Sequence, residues 1–161
     1  TQGWVPTIDE AVADVPIKGN QEGIFGFGHT GSYVGMTNLV SDAGVVATDV
    51  TAVGTARYQP AACEYGGDKG IFGFGDAGGS ATAITNLVSN TGVVAADVTG
   101  VGTARTYLSA CSYGEDKGIF GFGNDGSDVS MTNLVSNAGV VATDTTGVGT
   151  ARGGPAACSF N

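Results

Sequence analysis

The side chains that could do chemistry are few and scattered along the chain. Its 161 residues include one histidine, His29, and three cysteines. A general base needs a nucleophile or a second acid–base group within hydrogen-bond reach. None accompanies His29, whose counterparts in the repeats below are Asp76 and Asn124. No catalytic triad can be assembled from this inventory, so we predict no catalytic residues, no enzymatic activity and no cofactor.

The cysteines occur at intervals of 48 and 47 residues, at Cys63, Cys111 and Cys158. This spacing fits no zinc-binding pattern. Repetition places the three thiols on different sheets, typically beyond the ~7 Å Cα separation that a disulfide allows. We therefore predict three small, buried hydrophobic side chains with a structural role, and no metal site.

Three tandem copies of one unit account for most of the sequence. The hexapeptide Gly-Ile-Phe-Gly-Phe-Gly occurs at 23–28, 70–75 and 118–123. A longer block that ends in Val-Gly-Thr-Ala-Arg occurs at 37–57, 85–105 and 132–152. The predicted organisation is an N-terminal arm followed by a three-repeat domain, 21–161. The arm is 1–20, and the repeats are about 21–67, 68–115 and 116–161.

Each copy reads as β-structure throughout. Short β-branched runs are bounded by Asn and Gly turn signals, and no stretch within the repeats has a helical period. Four short strands per copy are expected. The glycines of the hexapeptide leave one strand face without side chains, so that another sheet can approach closely.

The order of elements in each copy resembles a kelch-type β-propeller blade. In the copy that starts at Arg105, an apolar strand runs through Cys111, a turn follows at 114–117, and the next strand ends at Gly123. Two hairpin-linked strands complete the unit. The chain is also similar to tandem kelch-like units of phage and environmental proteins. Two features depart from the family: Gly-Phe-Gly replaces the glycine doublet, and the aromatic pair of strands three and four is missing.

This resemblance implies an all-β fold of three four-stranded blades. A propeller closes with four to eight blades, so we expect a second chain to complete the ring. The first complete feature is strand two, at 22–28, and the last is strand one, at 156–160. The C-terminal strand of one subunit would complete the first blade of another. Two chains then give a six-bladed homodimer; the alternative is a threefold β-trefoil or β-prism monomer.

One arginine and one aspartate recur in every copy. The aspartate lies eight residues before the arginine. This pattern predicts structural Arg–carboxylate or Arg–backbone contacts between blades. The residues are Arg57, Arg105 and Arg152, with Asp49, Asp97 and Asp144.

The loops after the hexapeptide diverge most among the copies. Variable loops on a uniform scaffold are where recognition usually resides, so we predict ligand- or partner-binding residues there. They are His29, Tyr33, Asp76, Asn124, Asp125 and Asp128. The loop 124–128 carries oxygen ligands but lacks the distal glutamate of a calcium-binding EF-hand. In the arm, Trp4 is a candidate aromatic anchor on a neighbour.

Charge and hydropathy restrict the class of partner. The chain has 6 Lys and Arg against 15 Asp and Glu, a net charge of −9. Without a basic cluster we expect no nucleic acid partner, and without ~18 consecutive apolar residues no membrane partner. The sequence therefore predicts a non-enzymatic structural module of a virion or other extracellular assembly, which binds itself and other assembly or virion proteins. The alternative is a carbohydrate-binding, lectin-like protein with one shallow glycan site per repeat.

Overall fold

The computed structural model describes residues 21–51 and 53–160, and within these every regular element is a β-strand. The prediction of an all-β fold is confirmed. The strands are β1 (Gly23–His29), β2 (Tyr33–Val40), β3 (Ala61–Tyr65), β4 (Lys69–Gly73), β5 (Thr85–Val88), β6 (Ser109–Tyr113), β7 (Lys117–Gly121) and β8 (Thr132–Val135). The arm 1–20, including Trp4 and its predicted anchoring role, lies outside the described residues. The described part contains no helix of the length and apolarity that a membrane span requires.

The strands form three separate antiparallel sheets. The first sheet is β1-β2, the second β3-β4-β5 and the third β6-β7-β8. The second and third sheets share one register, with Cys63 opposite Ile71 and Cys111 opposite Ile119. Because β3 pairs with β4, the second sheet crosses the sequence-repeat boundary predicted near residue 67. Each three-stranded sheet thus begins with the strand that follows an arginine.

The predicted fourth strand is reduced to single bridges. In the third sheet Val141 pairs with Val135, and Thr145 pairs with Thr132. Between these bridges the Asn133 side chain donates from Nδ2 to the carbonyl oxygen of Ala142 at 3.0 Å. This amide bond is added to the backbone bond that the N–H of Ala142 donates to the carbonyl oxygen of Leu134. The sheets therefore have two or three strands instead of the predicted four.

Phenylalanine packs directly on glycine between adjacent sheets. A β-carbon at Gly73 would lie 2.8 Å from Cζ of Phe120, and one at Gly26 would lie 2.9 Å from Cζ of Phe72. Real β-carbons do not approach other atoms so closely, so only glycine leaves room for these rings. This explains why glycine and phenylalanine recur together in every repeat.

The core consists of two clusters, one at each interface between adjacent sheets. Phe27, Phe72, Val88 and Val94 fill the first interface. The second cluster is larger and fills the other interface. Its buried residues are Ala61, Tyr65, Ile71, Phe74, Leu108, Phe120 and Val135. Each sheet therefore depends on its neighbour for the burial of its apolar side chains, as in other repeat architectures.

The second phenylalanine of each hexapeptide adopts a left-handed backbone conformation. The φ angles of Phe27, Phe74 and Phe122 are 63°, 62° and 62°. This region is unusual for a residue with a β-carbon. In β1 the same position interrupts the pairing with β2, which shifts register between Gly26 and Gly28. The turn presents each ring to an arginine described next.

Candidate functional site

Two buried arginines connect adjacent sheets. Arg57 and Arg105 are fully buried. Nη2 of Arg57 donates to Oδ1 of Asn86 at 2.6 Å, and Nη2 of Arg105 donates to Oδ1 of Asn133 at 2.7 Å. In each case the arginine precedes the sheet that holds the asparagine. The arginine's backbone carbonyl oxygen accepts from the preceding sheet, from the N–H of Gly28 for Arg57 and of Gly75 for Arg105, so the side chain reaches from one sheet to the next.

Each guanidinium also lies over a phenylalanine ring of the preceding sheet. The Cζ atom of Arg57 is 4.3 Å from the ring centroid of Phe27, and that of Arg105 is 4.4 Å from the centroid of Phe74. A desolvated cation–π contact of this kind is worth about 2 kcal/mol. The left-handed phenylalanines supply the rings, which gives their unusual conformation a structural role.

An aspartate of the following sheet completes each contact. Nη1 of Arg57 lies 3.8 Å from Oδ1 of Asp97, and Nη1 of Arg105 lies 3.9 Å from Oδ1 of Asp144. The same carboxylates accept hydrogen bonds from the backbone N–H and the hydroxyl of Thr55 and Thr103 respectively. We call this set an arginine clamp. It comprises Arg, the Phe below it, the Thr two residues before it, and the Asn and Asp of the next sheet.

Burial and hydrogen bonding oppose each other in the electrostatics of the clamps. Burial lowers the pKa of Arg57 and Arg105, and the charges of Asp97 and Asp144 offset part of that effect. Burial raises the pKa of the two aspartates, but hydrogen bonds from Thr and Asn and the arginine charge outweigh it. The pKa of both carboxyls is therefore below its ordinary value.

Acid is expected to weaken the clamps. Because the folded-state pKa of Asp97 and Asp144 is depressed, their stabilisation is complete above the unfolded-state pKa of about 3.9 and is lost as the pH falls through the folded-state value. The melting temperature should fall below about pH 4. In an Asp97→Asn, Asp144→Asn variant the fall should be shallower. An Asp128→Asn variant is the control, since its carboxylate accepts a hydrogen bond from Asn124 within its own loop. Equal acid profiles for the three proteins would contradict the prediction.

The described residues also contain the two halves of a third clamp, at opposite ends of the row of sheets. Arg152 is exposed, with Cζ 4.1 Å from the ring centroid of Phe122. At the other end, Asn38 donates from Nδ2 to Oδ1 of Asp49 at 2.8 Å and to the carbonyl oxygen of Ala47 at 3.1 Å. Asn86 and Asn133 make the equivalent bonds within complete clamps.

Three of the predicted loop residues lie together in an aromatic cleft. The hydroxyl of Tyr33 donates to Oδ2 of Asp76 at 3.1 Å. The His29 ring lies 5.7 Å from that of Tyr33 and 5.6 Å from that of Tyr58. Tyr107 completes one wall of this cleft of about 370 Å³. Sequence reasoning missed Tyr58, although its position directly after an arginine holds Thr106 and Gly153 in the other repeats.

The other predicted loop residues are not brought to this cleft. Nδ2 of Asn124 donates to Oδ1 of Asp128 at 3.0 Å, and the N–H of Ser127 donates to Oδ1 of Asp125 at 3.3 Å. Their side-chain oxygens thus support the loop itself. Across 21–51 and 53–160, no group of three or more His, Cys, Asp or Glu side chains is arranged to hold a metal ion.

The cysteines line one groove formed by the strand-one segments of successive sheets. All three are free; Cys63 and Cys111 are half-buried, and Cys158 is exposed. Burial raises the pKa of the Cys63 thiol to about 12. None of the three thiols is fully buried as predicted, and the exposed Cys158 departs furthest from the prediction. Its segment, 156–160, has no strand partner among the described residues.

Comparison with known proteins gives a fold but no family. Neither a protein-family model nor a curated protein matches the chain. Among solved structures, the chain is similar to a novel fungal alcohol oxidase of the AA5 family, in complex with copper. The TM-score is 0.53 and the identity 14%, over 80% of this chain and 28% of the oxidase chain. The chain thus spans less than a third of the length of that protein, and the likeness concerns the fold alone.

Proposed function

We propose that this protein is a non-enzymatic structural module that assembles head to tail, and that two copies close a propeller-like ring of six sheets. The observation that carries the proposal is the exposure of Phe25. It is 63% exposed, whereas its counterparts Phe72 and Phe120 are 5% and 0% exposed. Those two rings pack on glycines of the preceding sheet, Gly26 and Gly73.

The partner for Phe25 is the equivalent glycine of another copy. That glycine is Gly121, in β7. A β-carbon there would meet only Cγ2 of Thr132, at 3.3 Å, and no aromatic ring. Phe25 and Gly121 lie in the first and third sheets, at opposite ends of the row. One copy therefore offers the ring and the next offers the place for it, which is a heterologous contact that two-fold rotation can close.

The free side of β1 offers a second complementary feature. Among the described strands, β4 and β7 pair on both sides, whereas β1 pairs only with β2. A groove of about 230 Å³ runs between β1 and the second sheet, and Ile24, Leu39 and Gly92 are among its lining residues. We assign it to residues 156–160 of another copy. In the register of the other sheets, Cys158 would lie opposite Ile24.

The groove has room for the aromatic ring of Phe160. It is 94% exposed, whereas Tyr65, at the equivalent position of β3, is 5% exposed. The Tyr65 ring lies against Gly139, beside the Leu87 side chain. Leu39 and Gly92 are the equivalents of Leu87 and Gly139 in the first two sheets. The groove thus has the same walls as the Tyr65 site, with space where an aromatic ring belongs.

Residues 156–160 lie against β6 through Ser159. The backbone N–H of Ser112, in β6, donates to Oγ of Ser159 at 3.0 Å, and the Ser159 hydroxyl donates to the carbonyl oxygen of Ser112 at 3.0 Å. Strand addition to a free sheet edge is a common mode of recognition. It would also cover Cys158, which suits a component of a virion or other extracellular assembly, where exposed thiols oxidise.

Native mass spectrometry tests the proposal. The full-length protein should have twice the 15.9 kDa of one chain. Phe25→Asp and Phe160→Asp should each give monomers, because an unpaired charge would be buried at the interface. Val140→Asp is the control: Val45, Val93 and Val140 are 66%, 64% and 65% exposed, so this position is independent of the interfaces. A monomeric parent, or a dimer that survives both Phe variants, would overturn the proposal.

The aromatic cleft supports a second candidate function, carbohydrate binding. Exposed Tyr58 and Tyr107 flank the Asp76 carboxylate, and such a cleft combines an apolar surface with a directional acceptor. A glycan array with the parent, Tyr58→Ala and Tyr113→Ala tests it. Binding that is lost in Tyr58→Ala and kept in Tyr113→Ala would support a lectin; no glycan binding by the parent would exclude it.

A further inference from the structure

We propose that Arg152 of one copy docks on Asn38 and Asp49 of a second copy, and so forms an arginine clamp between molecules. This inference rests on the proposed head-to-tail assembly, and it names the polar contact that would determine the partner. The two half-clamps are the only ones left incomplete within 21–51 and 53–160. The other two arginines of the chain, Arg57 and Arg105, are engaged in complete clamps.

The arginine half is already in the bound arrangement. Nη1 of Arg152 donates to the carbonyl oxygen of Thr150 at 3.1 Å, as Nη1 of Arg105 does to that of Thr103 at 3.1 Å. The stacking distance on Phe122, 4.1 Å, is close to the 4.3 and 4.4 Å of the complete clamps. Little side-chain freedom would be lost when this guanidinium meets its acceptor, which favours affinity.

The acceptor half, Asn38 and Asp49, is also already in the arrangement of the complete clamps. The two Nδ2 bonds of Asn38 fix its amide in the orientation of Asn86 and Asn133, whose Oδ1 atoms accept from arginine. The Asp49 carboxylate is exposed. In the complete clamps the corresponding carboxylates accept from a threonine N–H and hydroxyl. Thr150 would supply these donors to Asp49.

The glycine before the threonine leaves space for the acceptor carboxylate. A β-carbon at Gly54 would collide with Oδ1 of Asp97, and one at Gly102 with Oδ1 of Asp144. At Gly149 a β-carbon would have nothing within 4 Å, although its φ of 90° matches the 93° and 90° of the others. The same backbone shape therefore faces open space at the position that an Asp carboxylate occupies in the complete clamps.

A second copy is the partner that this geometry selects. In the complete clamps a guanidinium stacks on an aromatic ring and donates to an amide oxygen at the same time, a task that its planar fork of donors suits better than the compact charge of an ammonium group. The chain has three arginines, and Arg152 is the one whose guanidinium is exposed while it lies over its Phe. The Asp49 carboxylate and the Arg152 guanidinium are also opposite in charge.

A double-mutant cycle on the full-length protein tests the clamp. The measured quantity is the dimer dissociation constant by sedimentation equilibrium, for the parent, Arg152→Gln, Asp49→Asn and the double variant. Each single change should raise the constant about 30-fold or more, since it leaves a buried polar group unpaired. The double variant should be little weaker than Arg152→Gln alone, because both changes remove one interaction. Arg152→Lys should not restore affinity.

The two proposals fail in different ways. If the single effects simply add while the parent remains dimeric, the clamp is wrong and the head-to-tail assembly stands. A monomeric parent overturns both. Urea unfolding at protein concentrations below the dissociation constant provides the folding control, and Arg152→Gln should unfold there like the parent. A loss of folded-state stability equal to the loss of dimer would assign Arg152 to the folding of its own chain and overturn the clamp.

Discussion

Replacing Arg105 by methionine is expected to lower the free energy of unfolding by about 3 kcal/mol or more. The change keeps the apolar length of the side chain but removes every donor. Oδ1 of Asn133 and the carbonyl oxygen of Phe122 lose the hydrogen bonds that Arg105 donates at 2.7 and 2.8 Å. Both the Asn133 side chain and the site of Arg105 are fully buried, so water cannot replace the lost partner.

Arg152→Met is the matched control for Arg105→Met. It makes the same substitution at the same position of the repeat, but the side chain is exposed. In the monomer its effect should stay within about 0.5 kcal/mol. Urea denaturation followed by circular dichroism, at low protein concentration, gives both values. Equal losses for the two variants would show that burial between sheets is not the source of the stabilisation.

Gly73→Ala is expected to lower the free energy of unfolding by about 1–3 kcal/mol, because it overpacks the interface between the second and third sheets. The added methyl group would sit 2.8 Å from Cζ of Phe120, whose ring is fully buried. The ring also packs edge-on against Phe74 at a centroid separation of 5.2 Å. It therefore has little freedom to move aside.

Gly121→Ala provides the comparison at the equivalent position. Its methyl group would contact only Cγ2 of Thr132 at 3.3 Å, and the backbone does not require glycine there. The monomer should change by less than about 1 kcal/mol, since reduced freedom in the unfolded chain offsets the contact. Thermal and urea unfolding of both variants test this pair. A Gly73→Ala protein as stable as Gly121→Ala would contradict close packing between the sheets.

The all-β architecture could be predicted because its causes are local. Glycine and phenylalanine alternate in the hexapeptide, and turn signals of an Asn or Asp two residues before a Gly recur at fixed intervals. The conformation of Phe74 could not be predicted in this way. Gly-Phe-Gly reads as a continuing strand, whereas the left-handed φ of Phe74 is stabilised by Arg105 stacked on its ring, a contact with a residue 31 positions later.

The arginine contacts and the aromatic cleft also depend on residues distant in sequence, so local patterns do not predict them. The spacing of eight residues drew attention to Asp49 and Arg57 together, but Arg57 lies near Asp97, 40 residues further along the chain. The predicted fourth strand has the right composition, but its pairing is limited to isolated bridges, and the Asn133 side chain bonds to the Ala142 carbonyl oxygen between two of them. Tyr58 escaped notice because its role depends on its distance from His29 in space.

The direction of the arginine clamps bears on the order in which the chain acquires structure during synthesis. Arg57 finds its acceptor 29 residues later, at Asn86, and Arg105 finds its acceptor 28 residues later, at Asn133. On the ribosome, each guanidinium therefore emerges well before the amide that binds it. We expect each sheet to become stable only when the next one leaves the exit tunnel, so that folding follows translation with a delay of one repeat.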